Sequence, residues 1–165
     1  MKKIATAIIL FLLAIVFTIS GCQASFIEAE AYDPINTEQP SQLDHINNLE
    51  GVSLTALAVR ADANQIKVVF LNTSEKNCIY GSNFSIEQET NGTWYQVPYS
   101  VDGPVSWNTI GYSLEPGASN QVDIDWSWPY GKLPTGHYRL IKSILDFRGT
   151  GDHDTYILAA EFSID

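Results

Sequence analysis

The chain has 165 residues, with 9 Lys and Arg against 19 Asp and Glu and a formal net charge of −10. That length allows one domain, or one domain with a tail, and an apolar content of 45% excludes wholesale disorder. The acidity argues against a nucleic-acid partner, which needs a basic face for phosphates; two cysteines cannot build a disulfide scaffold or a Cys-type zinc site.

Met1-Lys2-Lys3 is a short positive start, followed by sixteen uncharged residues from Ile4 to Ile19. A charged start, an apolar run and a small-residue exit describe a secretory signal over residues 1–21. The exit reads Ile19-Ser20-Gly21-Cys22 and resembles a bacterial lipobox: an aliphatic residue, two small ones, then Cys. The resemblance implies cleavage before Cys22 and a diacylglyceryl thioether on its sulfur. An uncleaved anchor is the competing reading, since such a run just reaches the length of a bilayer span. A thiol placed at the exit favours the lipoprotein. Acyl chains contribute about 0.8 kcal/mol per buried CH₂, enough to hold the protein at a membrane.

Processing there leaves residues 22–165, with 7 basic and 19 acidic residues. An anionic bilayer surface repels such a body. Residues 22–50 then read as a flexible acidic tether, with Glu28, Glu30, Asp33, Glu38, Asp44 and Glu50 and with Pro34 and Pro40. Apolar residues are few and without period, so burial cannot offset the entropy of ordering. About 28 flexible residues span roughly 30 Å. A short helix near 42–49 is the alternative.

From Gly51 the pattern turns to period two. Ile66, Val68 and Phe70 share one face; Val122, Ile124, Trp126 and Trp128 share another; Tyr156, Leu158, Ala160, Phe162 and Ile164 a third. Strict alternation predicts half-buried strands. Turn signals divide the runs, and Asn91-Gly92 is the strongest, a two-residue hairpin loop. Strands are expected near 52–60, 65–72, 79–88, 93–98, 107–113, 119–128, 137–147 and 155–164. No window shows an amphipathic helix. Seven or eight short strands at regular spacing predict an all-β antiparallel sandwich or barrel over residues 51–165.

Leu133-Pro134-Thr135-Gly136-His137-Tyr138 leads into a late strand. Tyr138 there resembles the tyrosine corner of immunoglobulin-like sandwiches, whose phenol bonds back to upstream backbone. Further matching stretches are Tyr80-Gly81, Phe84-Ser85-Ile86-Glu87, Asn91-Gly92-Thr93-Trp94-Tyr95-Gln96-Val97-Pro98, Leu114-Glu115-Pro116-Gly117, Tyr130-Gly131-Lys132-Leu133-Pro134 and Leu158-Ala159-Ala160-Glu161-Phe162. On these, residues 51–165 resemble a bacterial Ig-like domain family found in small Gram-positive lipoproteins. The resemblance implies an Ig-like β-sandwich with no established catalytic residues. The chain departs from antibody-type domains in lacking an intersheet disulfide: with Cys22 lipidated, Cys78 stands alone.

Trp126 and Trp128 are expected inward, as core, because aromatic side chains carry large buried areas. Trp107 and Tyr130, flanked by turns, are then the exposed pair and the candidate ligand platform. Asp152 and Asp154, on the loop after Gly149-Thr150-Gly151, are candidate calcium ligands, although the spacing is not that of an EF-hand. His45, His137 and His153 lack zinc spacing. Asp123 and Asp125 read as a solvated strand face, and Cys78 as a small buried hydrophobe. The glycosylation triplets at Asn72, Asn83 and Asn91 carry no weight in a lipobox-bearing chain. No nucleophile, base and orienting group occur together.

The sequence therefore predicts a non-catalytic Ig-like lipoprotein without cofactor. It is held by lipid on Cys22 at the extracellular face of a bacterial membrane and meets an envelope protein there. The alternative is a surface lipoprotein binding a small ligand or glycan.

Overall fold

A computed structural model describes residues 40–165. The signal segment, the lipobox residues Ile19, Ser20 and Gly21, the lipidation site Cys22 and the first part of the tether lie outside the described residues.

Among the described residues nine strands form: β1 (Val52–Arg60), β2 (Gln65–Asn72), β3 (Cys78–Tyr80), β4 (Ser85–Thr90), β5 (Thr93–Gln96), β6 (Tyr112–Leu114), β7 (Ser119–Asp125), β8 (Gly136–Gly149) and β9 (Asp152–Ile164). A short α-helix, α1, spans Ser127–Tyr130, and a 3-10 turn spans Ala61–Ala63. The first sheet runs β1-β2-β7, all antiparallel. The second is organised around β8. Its β9 neighbour pairs along nearly its whole length. The opposite edge of β8 is shared: β4 pairs with residues 138–141 and β3 with residues 144–146. β5 and β6 complete the sheet.

The β4–β5 hairpin turns on Asn91 and Gly92, both at positive φ (53° and 77°), which is the geometry a two-residue primed turn requires. The alternating faces meet between the sheets. Ile66, Val68 and Phe70 of β2 and Leu140 and Ile144 of β8 are all buried, as are Leu158, Ala160 and Phe162 of β9. This is a two-layer antiparallel sandwich with a contiguous core.

Three details depart from the periodicity. The predicted strand 79–88 is two strands, because the chain steps between neighbouring stretches of β8 at Gly81–Phe84. The predicted strand 107–113 shortens to Tyr112–Leu114. The predicted strand 119–128 ends at Asp125, whose Oδ1 accepts bonds from the Ser127 N–H (2.8 Å) and hydroxyl (2.5 Å). That local side-chain turn diverts the backbone into α1.

Residues 40–50 also differ from a flexible tether. The Ser41 N–H donates to the Trp94 carbonyl at the β5 edge (2.8 Å), and the Asn47 N–H to the Ile157 carbonyl at the β9 edge (2.8 Å). Between these points Ser41 Oγ accepts from Arg139, which is paired with Glu87; both ionic side chains are buried. Leu49 joins the core. The acidic composition hid this docking, because its bonds are to distant strand edges rather than to local neighbours.

Candidate functional site

β8 presents Tyr138, Leu140, Lys142 and Ile144 on alternate positions, and the first, second and fourth are core side chains. Lys142 therefore points between the sheets and is only 1% exposed. It lies opposite the step where β3 stops and β4 has not begun. Gly81 and Asn83 keep free carbonyls there, and Nζ donates to both, at 2.6 and 2.8 Å. A Cβ at Gly81 would stand 2.7 Å from Asn83 Oδ1, so a larger residue there would turn the Asn83 amide aside. No carboxylate pairs with Lys142 among the described residues. Burial pushes its ammonium down to about 8.

Lys142 lines a cleft of about 230 Å³ between β7 and the β3–β4 step. The walls are Tyr80, Phe84, Tyr112, Val122 and Ile124, with Asp123 and Asp125 also in the lining. Phe70, Tyr80 and Tyr112 form a stacked column, with centroids 4.0 and 5.6 Å apart. Tyr80 is fixed further by the Asn120 amide, which donates to its hydroxyl (3.2 Å). Both rim carboxylates already have partners. Asp123 pairs with Lys67 at 2.7 Å, and the Ser127 bonds hold Asp125 below the usual carboxylate range. A hollow of similar volume beside the β4–β5 hairpin has no charged lining.

The aromatic expectations are reversed in part. Trp126 is core, fully buried and stacked on Phe162 at 5.7 Å. Trp128, two residues on, is 55% exposed, because the helical turn rotates it out of the strand alternation. Tyr130 is the inward residue of that turn, 5% exposed, and its hydroxyl accepts the Ile86 N–H at 3.2 Å. Trp107 is half-buried against Phe84 (4.8 Å) and meets Trp128 edge-on (6.4 Å). The exposed aromatic neighbour of Trp107 is thus Trp128 and not Tyr130.

Asp152 and Asp154 face a guanidinium. Arg148 reaches Asp152 at 2.9 Å, Asp154 at 3.0 Å and Asp146 at 3.3 Å. Among the described residues no cluster of three or more metal-ligating side chains forms. Tyr138 is fully buried and donates its hydroxyl to the Pro134 carbonyl at 2.8 Å, across the turn entering β8. Cys78 is buried, and burial raises its thiol pKa. Sequence reasoning passed over Lys142. The available signal was a cationic residue at an inward position of an otherwise apolar alternation.

The bacterial Ig-like domain family matches residues 47–163. No curated protein matches the chain. Among solved structures, the archaellum periplasmic stator protein FlaG from Sulfolobus acidocaldarius is similar at 20% identity with a TM-score of 0.36. That likeness covers 67% of this chain and 99% of FlaG.

Proposed function

Because the chain belongs to the bacterial Ig-like domain family, we propose that it is a non-catalytic interaction module, lipid-anchored through Cys22 at the extracellular face of a bacterial membrane. The observation that carries the interaction reading is the open edge of β7. Among the described residues this strand pairs only with β2, and large apolar side chains are exposed close to it: Tyr112 across the cleft and Trp128 just beyond its C-terminal end. An unpaired edge offers backbone donors and acceptors to an added strand. Exposed aromatic anchors supply the apolar contact that such pairing lacks. The excess of 19 acidic over 7 basic residues in 22–165 favours a cationic partner. The anchor itself is supported by Ile19-Ser20-Gly21-Cys22 following an apolar run.

The test is capture from a solubilised native envelope by the full chain in detergent, with Trp128→Ala as the comparison. Support is one enriched envelope protein, weakened by salt and by the substitution. Capture of nothing, or equal capture by the variant, overturns the reading. Labelling cells with a palmitate analogue tests the anchor separately: label should be lost in Cys22→Ser. A glycan-binding reading draws on Trp107 and Trp128 together, and enrichment of wall glycan alone would favour it.

A further inference from the structure

The cleft beside β7 combines features that the interaction reading does not use. Its inner lining holds an ammonium that has no counter-ion among the described residues, and an unpaired charge in a low-dielectric site is costly. Two of the three Nζ donors of Lys142 go to the Gly81 and Asn83 carbonyls. Among the described residues the third has only the face of Tyr80, whose centroid is 5.9 Å away. An anionic oxygen placed there would take the remaining donor and neutralise the charge. The walls around it are apolar and aromatic, and they suit a hydrocarbon or aryl body. Asp123 and Asp125 in the same lining disfavour a polyanion. Taken together, charge and shape specify a single anionic group on an apolar body.

We propose that this cleft is a binding site for a small apolar monocarboxylate, whose carboxylate accepts the free N–H of Lys142 while its body packs on Tyr80, Phe84, Tyr112 and Ile124. About 230 Å³ falls below the roughly 300–1,000 Å³ usual for ligand cavities, which limits the body to roughly one ring or a short alkyl chain.

Calorimetric titration of the full chain in detergent micelles tests this, with empty micelles as the blank. The probes are hydrocinnamate and its neutral primary amide, with inorganic phosphate as a polyanion control. The acid should bind saturably and at least about tenfold more tightly than the amide, since a hydrogen bond to a charged group is at stake. Phosphate should give no saturable heat. Lys142→Met should erase the difference between acid and amide. Tyr112→Ala, at an exposed wall position, should weaken both without unfolding the protein. The preference should fade above about pH 8, where the ammonium loses its proton. Equal affinity for acid and amide, or no saturable heat with either, overturns the proposal. The acid–amide comparison on the unmodified chain decides the matter even if Lys142→Met fails to fold.

Discussion

Asn47 and Ala159 are joined by two hydrogen bonds: the Asn47 amide donates to the Ala159 carbonyl at 3.2 Å, and its Oδ1 accepts the Ala159 N–H at 2.9 Å. A side chain here supplies what a neighbouring strand's backbone would supply to the outer edge of β9. The same residue sits at φ 57°, a conformation Asn tolerates better than most residues. Asn47→Gly keeps the folded backbone relaxed, removes the side-chain bonds and loosens the unfolded chain, with an expected loss of about 1–2 kcal/mol. Asn47→Ala adds about 1 kcal/mol of left-handed strain. Urea denaturation of the two variants separates these contributions, and the Ala159 amide should exchange faster in both. Equal stability of both variants and the parent would show that the edge contact is dispensable.

Tyr138 anchors the entry to β8 through one hydroxyl bond to the Pro134 carbonyl, in a fully buried setting. Tyr138→Phe keeps the ring on Phe162, 5.6 Å away, and leaves the carbonyl unpaired. The expected cost is about 1–3 kcal/mol, read as a lower denaturation midpoint with an unchanged slope.

Lys142 makes stability depend on pH in a definite direction. Its folded-state pKa is lowered to about 8 from the ordinary 10.5. Below about 8 both states hold the proton, and the cost of burying the charge is fully present. Between about 8 and 10.5 the unfolded chain binds a proton that the folded chain does not. Unfolding free energy therefore rises with pH across that window, by at most about 3 kcal/mol. The buried Cys78 thiol, whose pKa is raised, contributes with the opposite sign. Subtracting the profile of Lys142→Met isolates the lysine. That variant also leaves the Gly81 and Asn83 carbonyls unpaired, a cost that does not vary with pH. A difference profile that is flat or falling would refute the assignment.

Arg148 occupies the space a cation would need beside Asp152 and Asp154. Its guanidinium lies within 3.0 Å of both carboxylates, and those pairs raise its own pKa further. Millimolar calcium should leave the melting temperature of the parent chain unchanged. Arg148→Ala frees the Asp152 and Asp154 carboxylates, while Asp146 stays paired with Lys76, and calcium should then raise the melting temperature. A calcium-dependent shift in the parent chain would restore the loop as a metal site.

Much of the architecture is decided by short-range pattern. The alternation of Ile66, Val68 and Phe70, and of Leu158, Ala160 and Phe162, fixes which face of each strand is buried. Asn91-Gly92 specifies its own hairpin, because both residues adopt positive φ without a partner's help. Tyr138 stands where turn and strand adjoin, and its bond spans only four residues. The other features depend on contacts far apart in sequence. Lys142 is a cleft residue because β3 and β4 share one edge of β8 and leave a gap opposite it. Trp128 is exposed and Tyr130 buried because a single aspartate turn replaced two residues of alternation with a helical turn. Residues 40–50 are ordered by strand edges up to 112 residues away. Period-two patterning is local and survives in the sequence. Gaps between strands and the covering of their edges arise only when distant segments pair.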